Sequence, residues 1–190
     1  MTEVAKKVLG FEYVIYHLTK WYKEAFDSDF LNNDLSKLKV IKLHFFVSAV
    51  GANSEDDLLG YFDNFYAMPY GHVESQVYDN LDQMQAYILT ARNLQLKDSI
   101  DLDNYWEALD KSIKGKIDKS IESLKRYNPN LIKYTAMDLV ELSHSWYSWR
   151  AMYKLALSFK RQSFAIPPEV IRNEAKTFHL SSVESLYAVY

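Results

Sequence analysis

The sequence predicts a single, mainly α-helical domain, and three observations predict it. Gly (5) and Pro (4) are scarce among the 190 residues, so few positions break a helix. Apolar residues recur with helical period over long stretches. Where that period stops, capping residues or prolines stand at the breaks. A length of 190 residues fits one domain, and 48% hydrophobic with 25% charged residues is ordinary for a globule. At this size about 70% of the unfolded surface is buried on folding, enough for a core without disulfides or metal.

The elements follow in order. Leu9, Tyr13, Tyr16 and Lys20 are spaced by 4, 3 and 4, which predicts a first helix over 4–26, ended by the polar stretch 27–34. Ser36 caps a second helix over 37–50. That helix has two apolar stripes, Leu38, Ile41, Phe45 and, roughly opposite, Val40, Leu43, Val47, Val50, which predicts a central place in the core. Gly51 suits the position that closes it. Ser54 with Asp57 resembles a capping arrangement for a short helix over 55–60. An aromatic loop follows, and a β-hairpin near it stays open. Val73, Val77, Leu81, Met84 and Ile88 then predict a helix over 73–92, and 93–100 is a connection. A near-heptad stripe from Leu102 to Leu124 predicts one helix over 101–126, with Gly115 inside it marking a kink or a close backbone approach. Asn128-Pro129-Asn130 is a turn. Thr135 with Asp138 caps a helix through 146, and helix formers continue over 149–159. Ile166-Pro167-Pro168-Glu169 stops that segment and Pro168 begins a helix over 168–178. Ser181 with Glu184 caps a short terminal helix.

Composition narrows the function. A net charge of −3 argues against a general nucleic-acid binder, which carries a basic footprint. Cys is absent, so neither a disulfide framework nor a thiolate zinc site is available. Met1 to Lys7 lacks the apolar h-region of a signal peptide, and no apolar run approaches the ~18 residues of a membrane span. The expectation is a cytoplasmic protein without a membrane partner. Aromatic residues reach 15%, with 15 Tyr and 10 Phe. They serve either a ring-rich core or a contact surface, because Tyr joins a large apolar body to a polar tip.

The stretch from Phe62 to Tyr78 is the most informative. An aromatic run enters the break Pro69-Tyr70-Gly71 and a short polar turn follows. Pro69 fixes φ and Gly71 opens conformations closed to other residues. Rings around such a break predict an ordered loop. Ala67, Met68, Tyr70, Gly71, His72, Val73 and Tyr78 resemble the Ala-Trp-x-Tyr-Gly-Pro-Val element, with a Tyr about five residues on, of the Panacea domain. That family comprises the SocA-like antitoxins and phage-associated GepA-like proteins. Leu35 to Phe46 resembles the family's Leu-Thr-x-x-Lys-Leu-x-Lys-Leu-Leu-Tyr-Tyr helix and includes Lys42. Leu142-Ser143-His144 followed by Trp149 resembles its Leu-Thr-His element with a later Trp, and Ile166 to Ile171 resembles the start of its closing helix. The ordered set spans about residues 8 to 180. Departures mark a divergent member: Met68 for Trp, His72 for Pro, and Phe45-Phe46 for a Tyr pair.

The resemblance implies an antitoxin-like protein-binding module. It would neutralise a cognate protein toxin, encoded by an adjacent gene, by direct binding or by presenting the toxin to a protease. It implies no cofactor and no catalytic residue. On this reading Tyr66, Met68, Tyr70, His72 and Tyr78 are partner contacts, with His72 the most exposed histidine. Lys42, Ala67, Gly71, Val73, His144 and Trp149 hold the structure. A mobile-element protein that blocks a host defence factor would use the same surface.

The residues themselves leave one chemical alternative. Glu141 is three residues before His144, beside Ser143 and Ser145, so a carboxylate oriented imidazole near a hydroxyl would give a small hydrolase. The strained nucleophile and oxyanion hole this needs are not visible in the sequence. The five histidines (His17, His44, His72, His144, His179) lack ligand spacing, so no metal site is expected. Lys37, Lys39 and Lys42 form a locally basic helix, either a solvated face or a phosphate contact.

Overall fold

The computed structural model describes residues 1–26, 30–53, 56–97 and 100–180. Helix α1, Glu3–Ala25, begins at Thr2, whose hydroxyl accepts from the Ala5 amide at 3.2 Å. Helix α2, Lys37–Val50, begins at Ser36, whose hydroxyl accepts from Lys39 N at 3.3 Å. Every residue from Lys39 to Val50 is buried. This follows from the two apolar stripes, and α2 packs against α1 on one of its sides. The polar residues trapped on it are paired locally or across the fold. Lys39 donates to both oxygens of Asp34 (2.8 and 2.9 Å), and Ser48 donates to the His44 carbonyl at 2.9 Å. His44 is the exception: both ring nitrogens lack a hydrogen-bond partner among the described residues, and the ring stands edge-on to Phe11 and Phe62.

A tight 3-10 turn at Leu58–Gly60, capped by Asp57, stands where the short helix over 55–60 is expected. Its other expected cap, Ser54, lies outside the described residues. The aromatic stretch then folds as the hairpin left open by the sequence. Strand β1, Phe65–Met68, pairs antiparallel with β2, Gly71–Glu74, in the register Phe65↔Glu74 to Met68↔Gly71. Short hairpin loops ordinarily use mirror-image turns with positive φ at a central residue, and Pro69 forbids that. The positive φ falls instead on Gly71, at +94°. Lys7 on α1 is buried and donates to Asp63, Glu74 and Gln76, tying this whole stretch to the first helix.

The period over 73–92 does not produce one helix. Glu74 ends β2 and caps a single turn, α3 at Ser75–Tyr78, accepting from Val77 N at 2.6 Å. After a 3-10 turn at Leu81–Gln83, strands β3 (Tyr87–Leu89) and β4 (Leu94–Leu96) form a second antiparallel hairpin. The buried Glu12 of α1 captures the amides of Ala86 (2.7 Å) and Tyr87 (3.2 Å), which a helix would have kept for itself.

The helix over 101–126 is likewise divided, into α4 (Leu102–Glu107) and α5 (Lys111–Tyr127). Asp110 between them accepts from Ser112 N at 2.8 Å and Ile113 N at 3.2 Å, starting a new helix instead of continuing the old one. Gly115 marks neither a kink nor a close approach, since α5 runs through it and a Cβ there would meet open space. Helix α6, Ala136–His144, carries the predicted capping box of Thr135 and Asp138. Helix α7 covers Tyr147–Ser158. A two-residue strand, β5 at Phe164–Ala165, adds to the free edge of β1 and gives the order β2-β1-β5. Helix α8, Pro168–Asn173, is shorter than the expected 168–178. The expected terminal helix from Ser181 lies outside the described residues. The fold is mainly α with a small antiparallel sheet, and α2 is its centre, in contact with α1, α5, α6 and β2. Among the described residues no helix is long and apolar enough to cross a membrane.

Candidate functional site

The segments singled out in the sequence meet at one place, the hairpin β1–β2 where it crosses α2, α6 and α7. Lys42 on α2 is fully buried and donates to the His72 carbonyl at 2.5 Å. Burial lowers its ammonium pKa to about 7. His72 is also fully buried, which corrects the expectation of an exposed, partner-contacting histidine. Its ring lies flat on Phe45, with centroids 3.6 Å apart, and both nitrogens are used. Nδ1 is 2.8 Å from Ser143 Oγ and Nε2 is 2.8 Å from Ser148 Oγ.

Ser143 Oγ also accepts from the His72 backbone N–H at 3.1 Å. A serine hydroxyl can donate or accept, so the two serines serve either neutral tautomer of the ring. The Ser148 amide in turn donates to Glu174 Oε2 at 3.1 Å. The network from β2 through α6 and α7 to the segment after α8 is thereby consistent with a neutral imidazole. Desolvation pushes the His72 pKa well below its ordinary value, and the Lys42 and His144 charges push it further. Gly71 is required here: a Cβ would lie 2.4 Å from Ser143 Oγ and 3.2 Å from Lys42 Nζ.

His144 is half-buried and stacks on Trp149 at 3.7 Å between centroids. Burial, then the Lys42 charge, lower its pKa to about 4, opposed by a hydrogen bond with the Pro69 backbone. Trp149 is fixed in turn by its indole N–H, which donates to the Met68 carbonyl at 2.8 Å. The arrangement of Glu141, His144 and Ser145 weighed for hydrolysis is not assembled. Ser145 Oγ donates to the Leu142 carbonyl at 2.6 Å, and Ser143, with Ser148, flanks His72 instead. Ser143 lies inside a motif the sequence offers, whereas Ser148 and Glu174 carry no local signal. Ser148 reaches a partner 76 residues away.

Above this base lies an apolar groove of about 380 Å³, walled by Leu38, Ile41, Met68, Pro69, Tyr70 and Tyr78, with Val73 and Lys42 behind them. Tyr70 at the hairpin tip is 60% exposed and Tyr78 is 42% exposed. Met68 is half-buried. The expected contacts Met68, Tyr70 and Tyr78 are therefore together. Tyr66 is not with them, being half-buried in the sheet opposite Val73 and Ala165. Ala67 and Val73 are buried in the same sheet. No group of three or more His, Asp or Glu is placed to hold a metal among the described residues.

Compared with known proteins, the chain matches no family profile, no curated protein and no solved structure.

Proposed function

We propose that this chain is a protein-binding module of the antitoxin kind, holding a cognate toxin through the groove beside Tyr70. The observation that carries the reading is the contrast between the groove and its base. Two large aromatics, Tyr70 and Tyr78, stand exposed at an apolar groove. The backbone beneath them is fixed by buried contacts from Lys42, Ser143 and Trp149. Exposed rings on a pre-organised support are the usual source of protein-binding energy, because little entropy is lost when they are covered. The resemblance of the same segments to the Panacea domain supplies the class of partner.

The experiment is co-expression with the product of the adjacent gene. Growth inhibition relieved by this chain, with a complex that co-purifies, supports direct neutralisation. Tyr70→Ala keeps the fold, since the side chain is largely in solvent, and is expected to weaken the complex at least tenfold. A variant that neutralises as well as wild type, with unchanged thermal stability, removes the groove as the contact site. Relief of toxicity without a complex points to presentation of the toxin to a protease.

A further inference from the structure

The groove also carries a charge that its apolar walls do not explain. Three sources of positive potential converge on it. Lys37, in the first turn of α2, lines the groove half-buried, with Nζ 5.9 Å from the Tyr78 ring centroid. The amino-terminal end of α2, a 14-residue helix, adds its own partial positive charge, and its first turn holds no acidic residue to balance it. Lys42 lies behind the wall with no carboxylate partner among the described residues, and with its pKa lowered by burial it adds only part of a positive charge near neutral pH. Among the residues lining the groove there is no Asp or Glu, although the chain as a whole is acidic at −3. Lys39, the neighbouring lysine, does have its carboxylate, Asp34, within 2.9 Å. Lys37 makes no ion pair among the described residues.

We propose that the groove takes an apolar segment of a partner protein that bears an acidic side chain, with its carboxylate seated on the Lys37 ammonium. This rests on the groove being the protein-binding site. The volume accommodates about two or three side chains of Leu or Phe size. An apolar anchor enters between Tyr70, Met68 and Ile41. The acidic residue beside it reaches Lys37 at the mouth, next to the Tyr78 ring. The Lys42 amine is closed off and already donates to the His72 carbonyl, so it contributes its field and not a contact.

A phage-displayed library of random twelve-residue peptides, selected on the immobilised full chain, tests this. The expected result is enrichment of peptides with Asp or Glu within two positions of an aromatic or aliphatic residue. Binding of the synthesised peptide should be lost with Tyr70→Ala. Lys37→Glu should weaken it roughly tenfold, and exchanging the peptide's acid for Lys should restore it on that variant. Lys37 is a half-buried surface residue, and the thermal transition of each variant verifies folding. Apolar peptides that need Tyr70 but show no acidic preference would overturn the carboxylate while leaving the groove as a binding site. Binding of the synthesised peptide that is lost when its carboxyl terminus is amidated, but kept when its acidic side chain is replaced by an amide, would overturn the proposed source of the charge. Selected peptides indifferent to Tyr70→Ala would overturn both this inference and the groove.

Discussion

Gly71 holds a backbone conformation and a space that no other residue supplies. Its φ of +94° disfavours every L side chain, and the atoms nearest a new Cβ are those of Ser143 and Lys42. Ser143 is not free to retreat, since it is engaged by the His72 amide and ring. Gly71→Ala should therefore cost at least about 2 kcal/mol, combining backbone strain with a displaced hydrogen-bond network. Urea unfolding followed by circular dichroism measures it, and a loss below half of that would show that the hairpin relaxes around the methyl group. The need for Gly at this break was legible in the sequence from Pro69-Tyr70-Gly71 alone. The placement of His72 next to it was not. A histidine after a turn resembles a surface residue, and only Phe45, Ser143 and Ser148, each from a different helix, make the buried position tolerable. Tyr70 is readable for the opposite reason, because a ring at the tip of a two-residue loop has nothing local to cover it.

Local signals decided which elements the sequence could reveal. The start of α2 and the capping box of α6 depend on residues three apart, so they are legible, and so are those helices. The stretch 73–92 has a helical period just as clear, yet forms a strand, one helical turn and a hairpin. The deciding group is far away in sequence. Glu12 is fully buried in α1 and accepts from Ala86 N, Tyr87 N and the Tyr105 hydroxyl, the last at 2.5 Å. One carboxylate thereby anchors the second hairpin and α4 to the first helix. Charged acceptors make stronger bonds than neutral ones, and a Gln in its place would offer the two amides a neutral oxygen and turn its NH2 to the Tyr105 hydroxyl, which would have to accept instead of donate. Glu12→Gln should lower global stability by about 2 to 3 kcal/mol. Hydrogen exchange at Ala86 and Tyr87 should speed up more than exchange in α2, which has no bond to this carboxylate. Equal acceleration in both regions would mean that the hairpin does not open separately from the core.

Across the whole molecule, the buried bases set how stability depends on pH. Burial lowers the pKa of His44 to about 3 and that of His144 to about 4, and His72 moves in the same direction. The ordinary value is 6.5, so below it the unfolded chain takes up protons that the folded chain refuses. Acidification from pH 7 toward 4 therefore favours unfolding. For His44 alone the loss at pH 5 is about 2 kcal/mol, at about 1.4 kcal/mol per pH unit. Glu74 and Glu174, whose burial raises their pKa, act in the opposite sense over part of this range. Lys42 extends the trend upward: from about 7 to its ordinary 10.5 the folded chain has released a proton that the unfolded chain keeps, so stability rises with pH. Buried tyrosines close the window from above. The hydroxyl of Tyr13 is pushed up to about 12 and those of Tyr61, Tyr87 and Tyr105 also rise, so unfolding is favoured once free tyrosine ionises near 10. The melting temperature should rise from pH 5, peak near pH 9 and fall by pH 11. His44→Leu isolates the acid limb, because it removes a titrating group and two ring nitrogens without a partner among the described residues, and it touches neither the groove nor the His72 network. That variant should be more stable than wild type at pH 7.5, and its advantage should widen by about 2 kcal/mol at pH 5. A constant difference between the two proteins across pH 5 to 8 would mean that His44 gains a proton in the folded state, and the buried ring would then need a partner that the packing of Phe11, Phe62 and Phe65 around it leaves no room for.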